Sequence, residues 1–156
     1  MNNAHFHLIV NHLPIVGILI GLLVLISGLL LNKSDIKLTA FGIFIFSAFA
    51  SALAFFSGEG ADEAIENISG ISETLIHRHE ELAEKFFIVT IILGLISLIA
   101  LIAEVKSIKI AKFLVTLILI IAITNVVLAK YAGTSGGEIR HSEIRKSTNC
   151  ISINNK

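Results

Sequence analysis

The stretch IHRHEELAEKFFIVTIILGLISLIALIA, residues 76–103, decides the fold. Its second part, 86–103, carries no charge and approaches the ~20 apolar residues a helix needs to cross a bilayer. Its first part is polar, and helical periodicity sorts that part into two faces. His79 falls with Leu75, Leu82 and Phe86, so it points where the apolar residues point. His77 falls with Glu73, Glu81 and Glu84, a solvated face. One helix is therefore expected to carry an inward histidine at the polar end of a membrane-length run.

Working outward, three further apolar runs of similar length occupy 8–31, 38–56 and 110–129. The bulk composition agrees: 54% of the 156 residues are hydrophobic, 15% are charged, and mean hydropathy is +0.86. Such values lie outside the soluble globular range, and the length suits one domain. The first run is too long for the core of a cleaved signal peptide. Zero net charge and a single proline suggest neither a nucleic-acid partner nor disorder. The lone cysteine, Cys150, can form neither an internal disulfide nor a paired-cysteine metal site.

The expected fold is an all-α membrane protein, a four-transmembrane-helix bundle of two helical hairpins. The helices are placed at about 8–31, 38–56, 73–104 and 110–130, with a polar outer connector 57–85 and a polar tail 131–156. The short connectors and the start of the fourth helix hold Lys33, Lys37, Lys106, Lys109 and Lys112 against Asp35 and Glu104. A lysine excess in short loops marks the cytoplasmic side. Both termini and the long connector then face the periplasm or exterior of a bacterial inner membrane.

Finer features follow. Gly17 and Gly21 form a small-xxx-small pair suited to close helix approach. Pro14 falls in the first turns of its helix, where a missing amide costs little. Asn125 reads as an interhelical hydrogen-bond link. A short helix is expected from Asp62 to Asn67, broken by Ser69 and Gly70, with a new helix starting near Glu73. Gly133, Gly136 and Gly137 are expected to end the fourth helix.

All six histidines fall on the outer half: His5, His7, His12, His77, His79 and His141. His12 sits inside the apolar run of helix one, where an unpaired imidazole costs several kcal/mol, so an ionisable group there is a functional candidate. His12, His79 and His141 come from three parts of the chain, and topology alone brings them to one end. His12 and His79 are read as facing inward; His5, His7 and His77 rank lower. Two neutral imidazoles on facing helices can ligate haem iron axially, with Arg140, Arg78 or Lys85 pairing the propionates. Against that, neither histidine-bearing helix shows a pair spaced to clamp two haems across the membrane. The neighbouring carboxylates Glu59, Glu66, Glu80, Glu138 and Glu143 also suit a zinc, copper or iron ion, single or paired, on His12, His79, His141, Glu80 and Glu138. HExxH is absent, and the H-x-H of His5 and His7 is weak alone.

The strings NHLPI (residues 11–15), GEGADEAIE (58–66), HEELA (79–83) and GGEIRHSEI (136–144) cover these same positions. In them the chain resembles an uncharacterised family of small bacterial four-helix predicted inner-membrane proteins, a domain of unknown function. The matched positions are His12, Pro14, Glu59, Glu63, His79, Glu80, Glu138 and His141. Related domains are sometimes fused to Rieske or cytochrome c modules, so the resemblance implies a redox setting and favours haem.

The leading expectation is a metallo-cofactor at the outer face, haem b for electron transfer, with two of His12, His79 and His141 as axial ligands and Arg140 at a propionate. A membrane metalloenzyme or metal-handling protein using a zinc, copper or iron ion is the alternative. A non-catalytic assembly subunit of a membrane complex is the third. Expected partners are the lipid bilayer, a redox protein docking at the outer face, and a second copy in a homo-oligomer.

Overall fold

The computed structural model describes residues 3–65 and 73–141, and within them every regular element is an α-helix. The order is α1 (Asn3–Val10), α2 (His12–Leu30), α3 (Ser34–Ile65), α4 (Glu73–Val105) and α5 (Ala111–Arg140). Four helical stretches are long and apolar enough to cross a membrane: His5–Leu30, Ser34–Gly58, Glu73–Val105 and Ala111–Ile139. In hydrocarbon a backbone must satisfy its own polar groups, which a helix does within one segment.

The first stretch contains both α1 and α2. Asn11 joins them in helical geometry (φ −64°, ψ −26°), and its N–H donates to the His7 carbonyl at 2.9 Å. Pro14 is the third residue of α2 and so lies in its first turn, just past this joint, where a missing amide costs little.

α2 packs on α3, α3 on α4 and α4 on α5, and a smaller α2–α5 seam closes the ring. The two short turns share one construction. Lys33 N–H reaches Gly28 O at 3.0 Å around Asn32 (φ 50°), and Ile108 N–H reaches Ala103 O at 2.8 Å around Ser107 (φ 53°). Each is a Schellman closure with a left-handed residue after the helix. At this turn end Lys37 Nζ lies 2.6 Å from Glu104 Oε1, which also accepts from Ser34 Oγ at 2.7 Å.

The interior is built from Phe41, Phe44, Ile18, Leu25, Leu93 and Ile118, all fully buried. Other rings of α3 divide between roles: Phe46, Phe49 and Phe56 are exposed, and Phe55 stacks on Phe87 of α4 at 4.4 Å. Close helix contact rests on glycine. A side chain at Gly17 would run into Ser47, and one at Gly94 into Ala48. Asn125 links α5 to α4 as expected, donating to Thr90 Oγ1 at 3.0 Å in a fully buried position.

Two boundaries differ from the sequence reading. α3 continues through 57–65, so no separate helix begins at Asp62; residues 66–72 of that connector lie outside the described residues. α5 continues through Gly133, Gly136 and Gly137 to Arg140. Each helical glycine costs about 1 kcal/mol against alanine, but Ala132, Ser135, Glu138 and Ile139 are buried along this extension. Tertiary packing outweighs the local preference.

Gly94→Val should lower stability by about 1–3 kcal/mol, because the helix backbones must separate to admit the side chain. Thermal unfolding in detergent, followed by circular dichroism, measures this directly.

Candidate functional site

At the end opposite the two turns, α1 and the first turns of α4 each deliver one half-buried histidine into a helix seam. His7 of α1 meets α3: its Nδ1 lies 3.0 Å from Ala54 O and 3.1 Å from Ser57 Oγ. His79 of α4 meets α5: its Nδ1 lies 3.0 Å from Ser135 Oγ.

These contacts fix the tautomer. Ser57 Oγ donates to Ala54 O at 2.9 Å and Ser135 Oγ donates to Ala132 O at 2.9 Å, so each hydroxyl has already spent its hydrogen. Each serine oxygen can then only accept, as can each carbonyl. The Ala54 carbonyl requires the His7 proton on Nδ1, which leaves the Nε2 lone pair free, and His79 has the same tautomer when Ser135 gives its hydrogen to Ala132 O. Anchoring one ring nitrogen on a carbonyl or similar acceptor is how proteins orient histidines whose other nitrogen binds a metal.

A glycine faces each ring, with ordinary room for a methyl group beside His7 and little beside His79. A Cβ at Gly58 would lie 3.5 Å from His7 Cε1, and one at Gly136 would lie 3.0 Å from His79 Cε1. Beside His79, Arg78 Nη1 pairs with Glu138 Oε2 at 3.0 Å, and the Glu138 side chain is only 9% exposed. That pair fastens α4 to α5 at the level of the site.

The sequence-derived candidates fare unequally. His79 lies in a helix seam, as its face assignment requires, and His77 is exposed beside Glu80 and Glu81 at 3.5 and 3.7 Å. His12 does not face inward. It is exposed, with its Nδ1 against Asn11 Oδ1, on the same outer stripe as Val16, Leu19 and Leu23. His141 caps α5 in extended geometry and is exposed; Arg140 is the last residue of that helix. Glu80 is exposed, and Glu138 faces Arg78. Among the described residues no three His, Cys, Asp or Glu side chains gather closely enough to hold a metal ion. The expected grouping of His12, His79, His141, Glu80 and Glu138 is thus not brought together, while His7, ranked low, is anchored at the same end as His79 and in the same way.

A signal for His7 exists in the chain. H-x-H occurs twice, at residues 5–7 and 77–79, and in both cases the second histidine enters the seam. The string A-x-x-S-G also occurs twice, at 54–58 and 132–136, and supplies both anchors. No protein-family model, no curated protein and no solved structure matches the chain. The likeness to the uncharacterised family rests on its four strings alone.

Gly136→Val should displace His79 and cost about 1–3 kcal/mol through overpacking. Gly133→Ala, one turn away with only Ile15 Cδ1 at 3.6 Å, should be neutral or stabilising by up to about 1 kcal/mol. Paired thermal unfolding curves test the contrast.

Proposed function

We propose that this chain is a multi-pass protein of a bacterial inner membrane whose histidine end faces outward and holds a metallo-cofactor. The orientation is supported by Lys33, Lys106, Lys109 and Lys112, exposed at the turn end, which is the pattern of cytoplasmic loops. In that orientation the start of α1 and the end of α5 both lie outside.

The cofactor reading is supported by one observation: His7 gives Nδ1–H to a serine and a backbone carbonyl, His79 sets Nδ1 on a serine that is back-bonded in the same way, and neither anchor uses Nε2. Two imidazoles match haem b best. A structural or catalytic zinc ion wants three or four protein ligands, whereas haem iron takes four bonds from its porphyrin and asks the protein for axial ligands only. His7 replaces His12 in this assignment, and His79 is retained. Arg78, also held by Glu138, is the candidate partner for propionates, with Arg140, the last residue of α5, as the second candidate. When bound, such a group supplies one-electron exchange with a redox protein docked on the exposed rim. The chain's own residues fix ring orientation and basicity, and the apolar seams below keep water from the buried edge.

A second reading has its own support. The same hydrogen bonds tie α1 to α3 and α4 to α5, so the histidines could serve assembly alone. The two readings part at Nε2, which a purely structural histidine does not use.

The protein should be purified in detergent from cells supplied with haem precursor, and its absorption recorded oxidised and dithionite-reduced. A Soret band that shifts on reduction is expected, unchanged in His12→Ala and lost in the His7→Ala/His79→Ala double variant. Ser57→Ala and Ser135→Ala should each weaken haem binding about 10–100-fold, as loss of an orienting partner does. A featureless wild-type spectrum sinks the haem reading, and elemental analysis of the same sample then tests for bound zinc, copper or iron.

A further inference from the structure

We infer that the chain is a tandem repeat of one helical-hairpin unit, and that His7 and His79 are equivalent ligands closing both axial positions of a single haem. The inference rests on the proposed haem site and specifies its coordination. Three independent correspondences support it.

The first is in the sequence. One half runs H-x-H at 5–7, a helix, a turn, a helix and A-x-x-S-G at 54–58; the other runs H-x-H at 77–79, the same elements, and A-x-x-S-G at 132–136. The histidine and its serine are separated by 50 residues in one half and 56 in the other. Length differs, order does not.

The second lies in the turns. Asn32 stands midway between His7 and Ser57, and Ser107 midway between His79 and Ser135. Both are non-glycine residues in left-handed geometry, and both sit in the same Schellman closure. A non-glycine residue with positive φ is uncommon, so its recurrence at matching positions of two hairpins is specific.

The third is atomic. In each half a serine bonds the carbonyl three residues back, the histidine's Nδ1 bonds that serine, and the following glycine faces the histidine's Cε1. Helix packing agrees, since exchanging α2 with α4 and α3 with α5 maps the ring of neighbours onto itself. Because both histidines lie at the same end, the relating axis runs along the bundle, as in membrane proteins built from parallel repeats. Two imidazoles related by such an axis would approach a group seated on it from opposite sides. The matching serine anchors hold Nδ1 of both rings and leave Nε2 of both outside the anchor.

The functional consequence is a closed site. With both axial positions held by the chain, no position remains for oxygen or a substrate, so the centre suits electron transfer and not small-molecule activation.

The test is spin state in the full-length, haem-loaded protein. Wild type should show the low-spin signal of six-coordinate haem by electron paramagnetic resonance and visible absorption. His7→Ala and His79→Ala, made singly, should each retain haem and convert fully to a five-coordinate high-spin signal. Free imidazole should restore the low-spin signal in both, which also shows that each variant is folded. His7→Met and His79→Met guard against alanine variants that do not fold: each should keep six-coordination and raise the reduction potential, by similar amounts if the positions are equivalent. Persistence of the wild-type low-spin spectrum in either alanine variant overturns the inference. So does conversion to high spin in His12→Ala or His141→Ala. A wild-type protein that takes up no haem overturns the proposed function and this inference with it, whereas haem that stays high-spin in wild type overturns this inference alone.

Discussion

An imidazole held in a helix seam must give its N–H to an acceptor, and this obligation organises the histidine end of the molecule. In an apolar bundle the available acceptors are few, because helical carbonyls are already engaged by amides four residues on. Ser57 and Ser135 resolve the shortage. Each donates its own hydrogen to the carbonyl three residues back and presents a lone pair to a histidine. A serine that back-bonds within its helix is ordinary in apolar surroundings; here the back-bond also decides which ring nitrogen keeps the proton. Glycine at the next position leaves room for the ring, tightly so at Gly136, where a Cβ would lie 3.0 Å from His79 Cε1. Three small residues thus set distance, tautomer and orientation together.

Below that level the same economy holds the helices together. Lipid tails are as apolar as leucine, so packing contacts and a few hydrogen bonds must do what the hydrophobic effect does in water. Gly17 against Ser47 and Gly94 against Ala48 bring backbones close, and Asn125 spans to Thr90, which itself bonds the Phe86 carbonyl at 2.7 Å. At the turn end Glu104 gathers Lys37 and Ser34. Polar links at both ends and one in the interior leave the remaining helix surface free to be apolar throughout.

That uniform apolarity explains what the sequence could and could not tell. Four runs long enough to cross a membrane were legible because their length is a bulk property. The facing of His79 was legible because its helix turn mixes charged and apolar residues, which marks the phase. His12 was misread because, Asn11 apart, its neighbours in the run are apolar on every side, so depth was visible and azimuth was not. Burial shows the inward stripe to be Val10, Pro14, Ile18, Leu22 and Leu25. His7 precedes that stripe at helical spacing, and His12 falls off it. The helix ends were obscured for a different reason. Gly133, Gly136 and Gly137 are local stop signals, and they yield to contacts made by residues far away in sequence, such as Arg78 with Glu138.

The repeated anchor also bears on how such a site could arise. A single hairpin places one histidine against its own A-x-x-S-G segment, using contacts internal to that hairpin. Each anchored histidine is therefore complete within one hairpin, and a second hairpin adds a second one without new anchoring chemistry. The packing between units is where the two halves diverge: the α3–α4 seam is extensive, with Phe55 stacked on Phe87, and the α2–α5 seam is the slighter one. A symmetric pair of half-sites on an asymmetric frame follows from that difference. The anchors are conserved between halves because tautomer and ring position tolerate little change, while interhelical seams can be repacked by any residues of suitable volume.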